Sequence, residues 1–301
     1  MKQLIGIILL STFVVSCGIS RVFAQDNIAR KKVFLFAGQS NMEGRADGAQ
    51  LSEEDKQRLH KISDRIQFYY NHQPVTPLQL TTPKNYIKLK FDLTQCFGPE
   101  LFFGIELAEN YPDQEFIFIK RSKGGSSLYG CWNPDWSEDK AKLMDELDQP
   151  ELYSDFITYV NSVLGDYGPD DYEVKGMLWV QGETDSAVKK WGEAPANTYG
   201  KNLRKLIQRT RTELGCPQMP FVMFQVGGGK VVEGMKKTTE NDRNVYLIPQ
   251  SKDRESDDFY ERNPPPIGHY TAKSMKKIGV EFFKVFDDIL NEQNKNCNPH
   301  F

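Results

Sequence analysis

Five short apolar runs rich in β-branched and aromatic residues constrain this chain more than any other feature: Val33–Ala37, Glu115–Lys120, Gly176–Val180, Phe221–Val226 and Val245–Pro249. Between or after them lie helical patterns at Gly98–Tyr111, Glu151–Leu164, Ala196–Leu214 and Thr271–Leu290. Continuous apolar strands that alternate with amphipathic helices predict a parallel sheet covered on both faces, because such strands have no polar side to give to water. The expectation is a single α/β domain over residues 25–301, with its core at about 31–290. The stretch Glu43–Phe97 fits the alternation poorly. It is polar and carries Pro74, Pro77 and Pro83, and it reads as a long loop that builds one wall of a site.

The first 24 residues read as an export signal. Lys2 is followed by the apolar stretch Leu4–Val15, too short to span a bilayer, and Val22-Phe23-Ala24 has the small-residue ending of a cleavage site. Val14-Val15-Ser16-Cys17 is a second option, in which Cys17 would carry a lipid anchor. The expected location is therefore periplasmic or extracellular, with an outer-surface lipoprotein as the variant. A net charge of −3 gives no general attraction to nucleic acid or to an acidic membrane. Beyond the leader the cysteines are Cys96, Cys131, Cys216 and Cys297. Their spacing matches no zinc pattern, and both buried thiols and disulfides are compatible with it.

Chemistry-bearing residues cluster at the ends of the predicted strands. The first run stops at Gly38-Gln39-Ser40-Asn41-Met42. The glycine allows a sharp turn, and Ser40 falls at the carboxyl edge, where open α/β sheets hold their ligands. A serine nucleophile needs a base. Of the four histidines, His300 is next to the terminus, His60 lies in a charged segment and His72 in a polar loop. His269 follows Pro264-Pro265-Pro266-Ile267-Gly268 and precedes the last helix, which makes it the base by elimination. Lys123-Gly124-Gly125-Ser126-Ser127-Leu128 follows the second run and offers backbone N–H groups to an oxyanion. Trp179-Val180-Gln181-Gly182-Glu183-Thr184-Asp185 follows the third, with a side-chain N–H in Gln181 and a carboxylate in Glu183.

These segments, in this order and before a late histidine, resemble the SGNH hydrolase superfamily. More narrowly they resemble its sialate O-acetylesterase branch, which includes the acetyl xylan esterases of carbohydrate esterase family six. The likeness spans roughly residues 31–285. It implies a flavodoxin-like three-layer α/β/α sandwich on a five-stranded parallel sheet. It implies a serine carbohydrate O-acetylesterase that works through an acetyl-serine, with no metal and no organic cofactor. Ser40 would be the nucleophile and His269 the base. The Ser40 and Gly125 N–H groups with Gln181 would form the oxyanion hole. Many SGNH hydrolases carry an aspartate three residues before the histidine; here that residue is Pro266. Glu183 is the expected substitute that orients His269, with a Ser-His dyad as the runner-up, and Asp257, Asp258 and Glu261 lie further upstream. Gln39, Asn41 and Trp132 are candidates for binding substrate, Trp132 (with Trp136) by stacking on a sugar ring. Two other readings stay open: a non-catalytic carbohydrate-binding protein on a degenerate scaffold, and an esterase for non-sugar acyl groups.

Overall fold

A computed structural model describes residues 30–297, with side chains to residue 292. The leader, Cys17 and His300 lie outside the described residues, as does the Cys297 side chain. The strands are β1 (Lys31–Gly38), β2 (Ala46–Asp47), β3 (Ile66–Tyr70), β4 (Thr76–Pro77), β5 (Cys96–Phe97), β6 (Phe116–Ser122), β7 (Tyr172–Val180), β8 (Phe221–Phe224) and β9 (Val245–Ile248). The helices are α1 (Ser40–Glu43), α2 (Glu53–Ile62), α3 (Asn85–Phe91), α4 (Glu100–Asn110), α5 (Glu138–Leu143), α6 (Leu152–Leu164), α7 (Val188–Trp191), α8 (Ala194–Glu213), α9 (Lys230–Glu240) and α10 (Ala272–Cys297).

The main sheet runs β4-β3-β6-β1-β7-β8-β9. All pairings are parallel except that of β4, which is antiparallel to β3. The five expected strands are contiguous in it, in the flavodoxin-like order second, first, third, fourth, fifth, with the fifth at one edge. The sheet is larger than the expected five strands because the Glu43–Phe97 segment is not a loop. It supplies α2, β3, β4 and α3, and β2 and β5 pair into a small second sheet. β3 was hidden because it lies near the sheet edge and buries only alternate residues, Ile66 and Phe68, so it carries no continuous apolar run. β4 has two residues, one of them Pro77, which an edge strand tolerates.

Three layers result. On one face Phe34 and Phe36 of β1 meet Phe103 of α4, and Phe34 also meets Phe286 of α10. On the other, Trp179 of β7 packs edge-on against Trp132 at 5.3 Å, and Trp132 meets Phe156 of α6. α8 packs against α9 on that side, close enough at Gly200 and Gly234 that a Cβ on Gly200 would lie 2.8 Å from the Gly234 Cα. Edge-on pairs of this kind add to the burial of their large apolar area. Because β1 lies between β6 and β7, the chain leaves it toward one side first and the other later. That makes the carboxyl end of β1 the switch point at which such sheets open a crevice.

Candidate active site

Ser40 occupies this crevice. Gly38 (φ +151°) passes so close to β7 that a Cβ would lie 2.2 Å from the Val180 carbonyl oxygen. Only glycine fits there. The Gln39 N–H donates to Val180 O at 2.9 Å, and α1 starts at once, with Glu43 N–H bonded to Gln39 O and Gly44 N–H to Ser40 O. Neither the Ser40 Oγ nor its backbone N–H has a hydrogen-bond partner among the described residues.

The far end of α1 is tied down by charge. The buried Glu43 carboxylate accepts from Arg45 Nη2 at 2.5 Å and from the Gly124 N–H at 2.8 Å. The Glu43 carbonyl faces Lys120 Nζ and the Tyr70 hydroxyl, each at 3.3 Å. Lys120 has no accessible surface and pairs with Glu100 at 2.7 Å. Glu100 also accepts from the Gly98 N–H. The Gly98-Pro99-Glu100 segment therefore starts α4 and also supplies the counter-ion of a buried lysine beneath the nucleophile helix. Burial pushes the Lys120 pKa down while Glu100 opposes the shift.

The glycine loop after β6 is held by two buried carboxylates. Glu146 accepts from the Ser127 N–H and hydroxyl and from the Cys131 N–H, at 2.7 to 2.9 Å. Asp185 accepts from the Leu128 and Tyr129 N–H groups at 2.9 Å and from Gln181 Nε2 at 2.6 Å. Burial pushes Asp185 up to about 7 against the pull of these donors. The loop so held places Gly124 against Ser40: a Cβ on Gly124 would lie 3.5 Å from that of Ser40. Gly125 has φ +77° and open space where a side chain would be. Its N–H meets no acceptor among the described residues.

Gln181 is fully buried. Its Nε2 is engaged by Asp185, by Ser126 O at 3.1 Å and by Gln39 Oε1 at 3.4 Å. Its two amide hydrogens are thus committed in this conformation. Glu183 Oε1 accepts from Asn41 Nδ2 at 2.7 Å and faces Arg262 at 3.8 Å, while Oε2 is buried without a partner. Burial raises the Glu183 pKa, and Arg262 and Asn41 oppose it. No hydrogen bond joins Glu183 to His269.

His269 sits edge-on to Phe91 of α3 at 5.4 Å, a neighbour supplied by the segment that the sequence pattern assigned to loop. Its Nδ1 is buried and unpartnered. Burial, then the positive charges of Arg45 and Arg262, lower its pKa to about 4; among the main influences only the Ile267 backbone favours the charged ring. His269 is therefore neutral at pH 7, the state a general base requires. His60 is exposed on α2, and His72 pairs with Asp155 at 3.0 Å.

Three candidates for substrate contact are engaged with the protein itself. Trp132 has no accessible surface, donates from Nε1 to Ser126 Oγ and packs between Trp179 and Phe156, so neither ring face can take a sugar. The buried Gln39 side chain accepts, at 3.3 to 3.4 Å, from Gln181 Nε2 and the Gly182 and Thr184 N–H groups. Asn41 is buried against Glu183. These residues brace the loops around Ser40. Cys96, Cys131 and Cys216 are free thiols.

The mostly parallel sheet thus presents Ser40 and the glycine loop at the carboxyl end of β1, with Ser40 and Gly125 N–H groups that have no protein acceptor among the described residues. Residues 30–288 match the family described as carbohydrate esterase, sialic acid-specific acetylesterase, and the chain belongs to that family. It is a carboxylic ester hydrolase of the carbohydrate acetylesterase kind. No curated protein matches the chain. Among solved structures, a protein of Arabidopsis thaliana superposes with a TM-score of 0.60 at 17% identity, over 86% of this chain and 98% of that one. NanS gives 0.59 at 14% identity, over 87% and 98%. A novel carbohydrate acetylesterase from Xanthomonas citri, XAC1771, gives 0.52 at 18%, over 83% of this chain but only 54% of the longer protein. At these identities the likenesses establish the fold.

Proposed function

We propose that this protein is a serine esterase that removes O-acetyl groups from carbohydrate, of the acetyl xylan or sialate type. One observation carries the reading. Ser40 Oγ, the Ser40 N–H and the Gly125 N–H are all free of protein partners at the crevice, while the neighbouring N–H groups of the glycine loop are committed. The Ser40 Oγ attacks the acetyl carbonyl carbon and passes its proton to His269. With Nδ1 buried, Nε2 is the nitrogen left to receive it. The Ser40 and Gly125 N–H groups stabilise the oxyanion; Gln181 would join them only by releasing Asp185. Collapse expels the sugar oxygen, which takes the proton from His269 and leaves acetyl-Ser40. Water then attacks the acetyl-serine, His269 takes its proton and returns it to Ser40, and acetate departs. Glu183 acts on this site through Asn41, and orients His269 only if the loop at 262–269 closes on it.

The N-terminal leader supports export to the periplasm or the exterior, with or without lipid at Cys17. Hydrolysis of 4-nitrophenyl acetate and of acetylated sugars by wild type and Ser40→Ala tests the reading. A loss of several orders of magnitude in the variant is expected, as for removal of a nucleophile. Equal rates in both proteins would sink it.

A further inference from the structure

Residues 82–95 leave the fold and return to it at one point. Thr81 and Cys96 exchange two backbone hydrogen bonds of 2.9 Å, and the Thr81 hydroxyl donates a third to the Cys96 carbonyl at 3.1 Å. Just inside this base the Gln95 carbonyl accepts from the Gly48 N–H at 3.0 Å. The loop so closed carries α3 and is packed by its own side chains. Ile87 and Leu93 are buried with Cys96 in a cluster apart from the main core, and Phe91 packs against it. Tyr86 and Leu89 of the same helix are exposed. A compact loop with joined ends and an interior of its own is an Ω-loop, a unit that proteins often place at functional sites.

This loop delivers Phe91 to His269. The His269 backbone is fixed from its own side: its carbonyl accepts from the Asn263 N–H at 2.8 Å, and Arg262 pairs with Tyr270 across the turn. The imidazole has no such anchor. Its Nδ1 is buried without a partner, and Pro266 stands three residues before it instead of an acid. The torsion that turns a histidine ring is broad, so without a hydrogen bond the setting of the ring depends on packing. Phe91 supplies that packing. The two rings meet edge-on, with centroids 5.4 Å apart and planes at 82°, a favoured geometry for aromatic pairs. The Lys90 Nζ lies over the Phe91 ring at 5.2 Å.

We infer that Phe91 is a positioning residue for the general base: the 82–95 loop clamps the imidazole by apolar contact, in the role that a carboxylate fills by hydrogen bonding. The inference rests on the proposed role of His269 as the base for Ser40. The clamp acts on the ring in two ways. It limits rotation, so that Nε2 stays available to the Ser40 hydroxyl, and it keeps water off one side of the ring. The charged groups that act on His269 are Arg45 after α1, Arg262 in the loop before α10 and Lys90 on α3, and all three are positive. Burial by Phe91 works with them to keep the base neutral. The segment that departs from the simple alternation of strands and helices thereby becomes part of the machinery around Ser40.

The test is Phe91→Ala, which opens one side of the ring and leaves the three charges in place. On 4-nitrophenyl acetate kcat should fall about 10- to 100-fold with KM little changed, the cost of a misplaced catalytic group. The acid limb of kcat/KM should rise from near 4 toward the ordinary 6.5 as water reaches the imidazole. Phe91→Leu restores apolar bulk and should recover most of both. Ile87→Ala thins the interior of the loop and should move kcat and the limb in the same direction; it carries the test if Phe91→Ala does not fold, as circular dichroism will show. A Phe91→Ala enzyme with the wild-type kcat and limb overturns the clamp. So does one that loses stability in urea and activity while its limb stays in place, because that is the mark of a merely structural residue. Failure of the esterase reading looks different: wild type and Ser40→Ala would turn over 4-nitrophenyl acetate equally, or neither would.

Discussion

Glu43 and Gly124 are 81 residues apart in sequence, yet a 2.8 Å hydrogen bond from the Gly124 N–H to the Glu43 carboxylate ties the nucleophile helix to the glycine loop. Arg45 sits on the same carboxylate oxygen and neutralises it. The bond fixes the separation of Ser40 and Gly125, the two groups whose N–H donors face the crevice. Glu43→Gln keeps the volume but sets an amide against Arg45. The expected result is a 10- to 100-fold fall in kcat at little cost in KM, somewhat less than the loss of a whole oxyanion donor. Steady-state kinetics on 4-nitrophenyl acetate, with circular dichroism to confirm the fold, checks it. An unchanged kcat would remove Glu43 from the account.

The second prediction concerns pH. Burial and the charges of Arg45 and Arg262 hold His269 at about 4, below its ordinary 6.5. A lowered histidine pKa means that the unfolded chain takes up the proton first. Stability from this group is present above about 6.5 and is lost as pH falls toward 4. In activity, the acid limb of kcat/KM should fall near pH 4. Arg262→Gln should move that limb upward by removing a positive charge. A limb at the ordinary histidine value in wild type, or no shift in the variant, contradicts the electrostatics described.

Lys120 and Glu100 separate stability from catalysis. Lys120→Met leaves Glu100 buried without its partner and should cost roughly 3–5 kcal/mol in urea denaturation. Adding Glu100→Leu removes the stranded charge and should recover most of that loss. The Glu43 carbonyl stays without its lysine in both proteins, so kcat should stay depressed in the double variant. Recovery of both properties together would make the pair structural only.

Asp185 accepts three N–H groups with two oxygens. Asp185→Asn turns one acceptor into a donor facing other donors. A loss of about 1–3 kcal/mol is expected from the donors left unpaired, along with a freer glycine loop and a reduced kcat. Thermal unfolding beside kinetics would show whether the two fall together.

The framework of this site was legible in the sequence because its signals are local. A strand that ends at Gly38, a glycine pair at Gly124-Gly125 and the Gln181-Gly182-Glu183 segment each lie at the end of an apolar run, and β periodicity alone aligns them at one edge. The braces were not legible, since each joins residues far apart. Glu43 meets Gly124, Lys120 meets Glu100, and Asp185 meets Leu128 and Tyr129. A charged residue in sequence reads as surface unless its partner is known. Lys120 did carry a signal: it ends the apolar run Phe116-Ile117-Phe118-Ile119, in an interior strand of the sheet. Trp132 misled for the converse reason, because a tryptophan after a glycine loop looks the same whether it faces solvent or, as here, Trp179. The histidine's environment is set by Arg45, Phe91 and Arg262, from three separate segments, and no motif spacing contains it.

In the proposed mechanism acetyl transfer passes through Ser40. The most direct measurement is acid quench of the enzyme during turnover of 4-nitrophenyl acetate, followed by peptide mass spectrometry. The expected result is an acetyl group on the peptide containing Ser40, formed in a burst and absent from Ser40→Ala. Turnover at the full wild-type rate with no acetyl on that peptide, or with the acetyl on another residue, would contradict it.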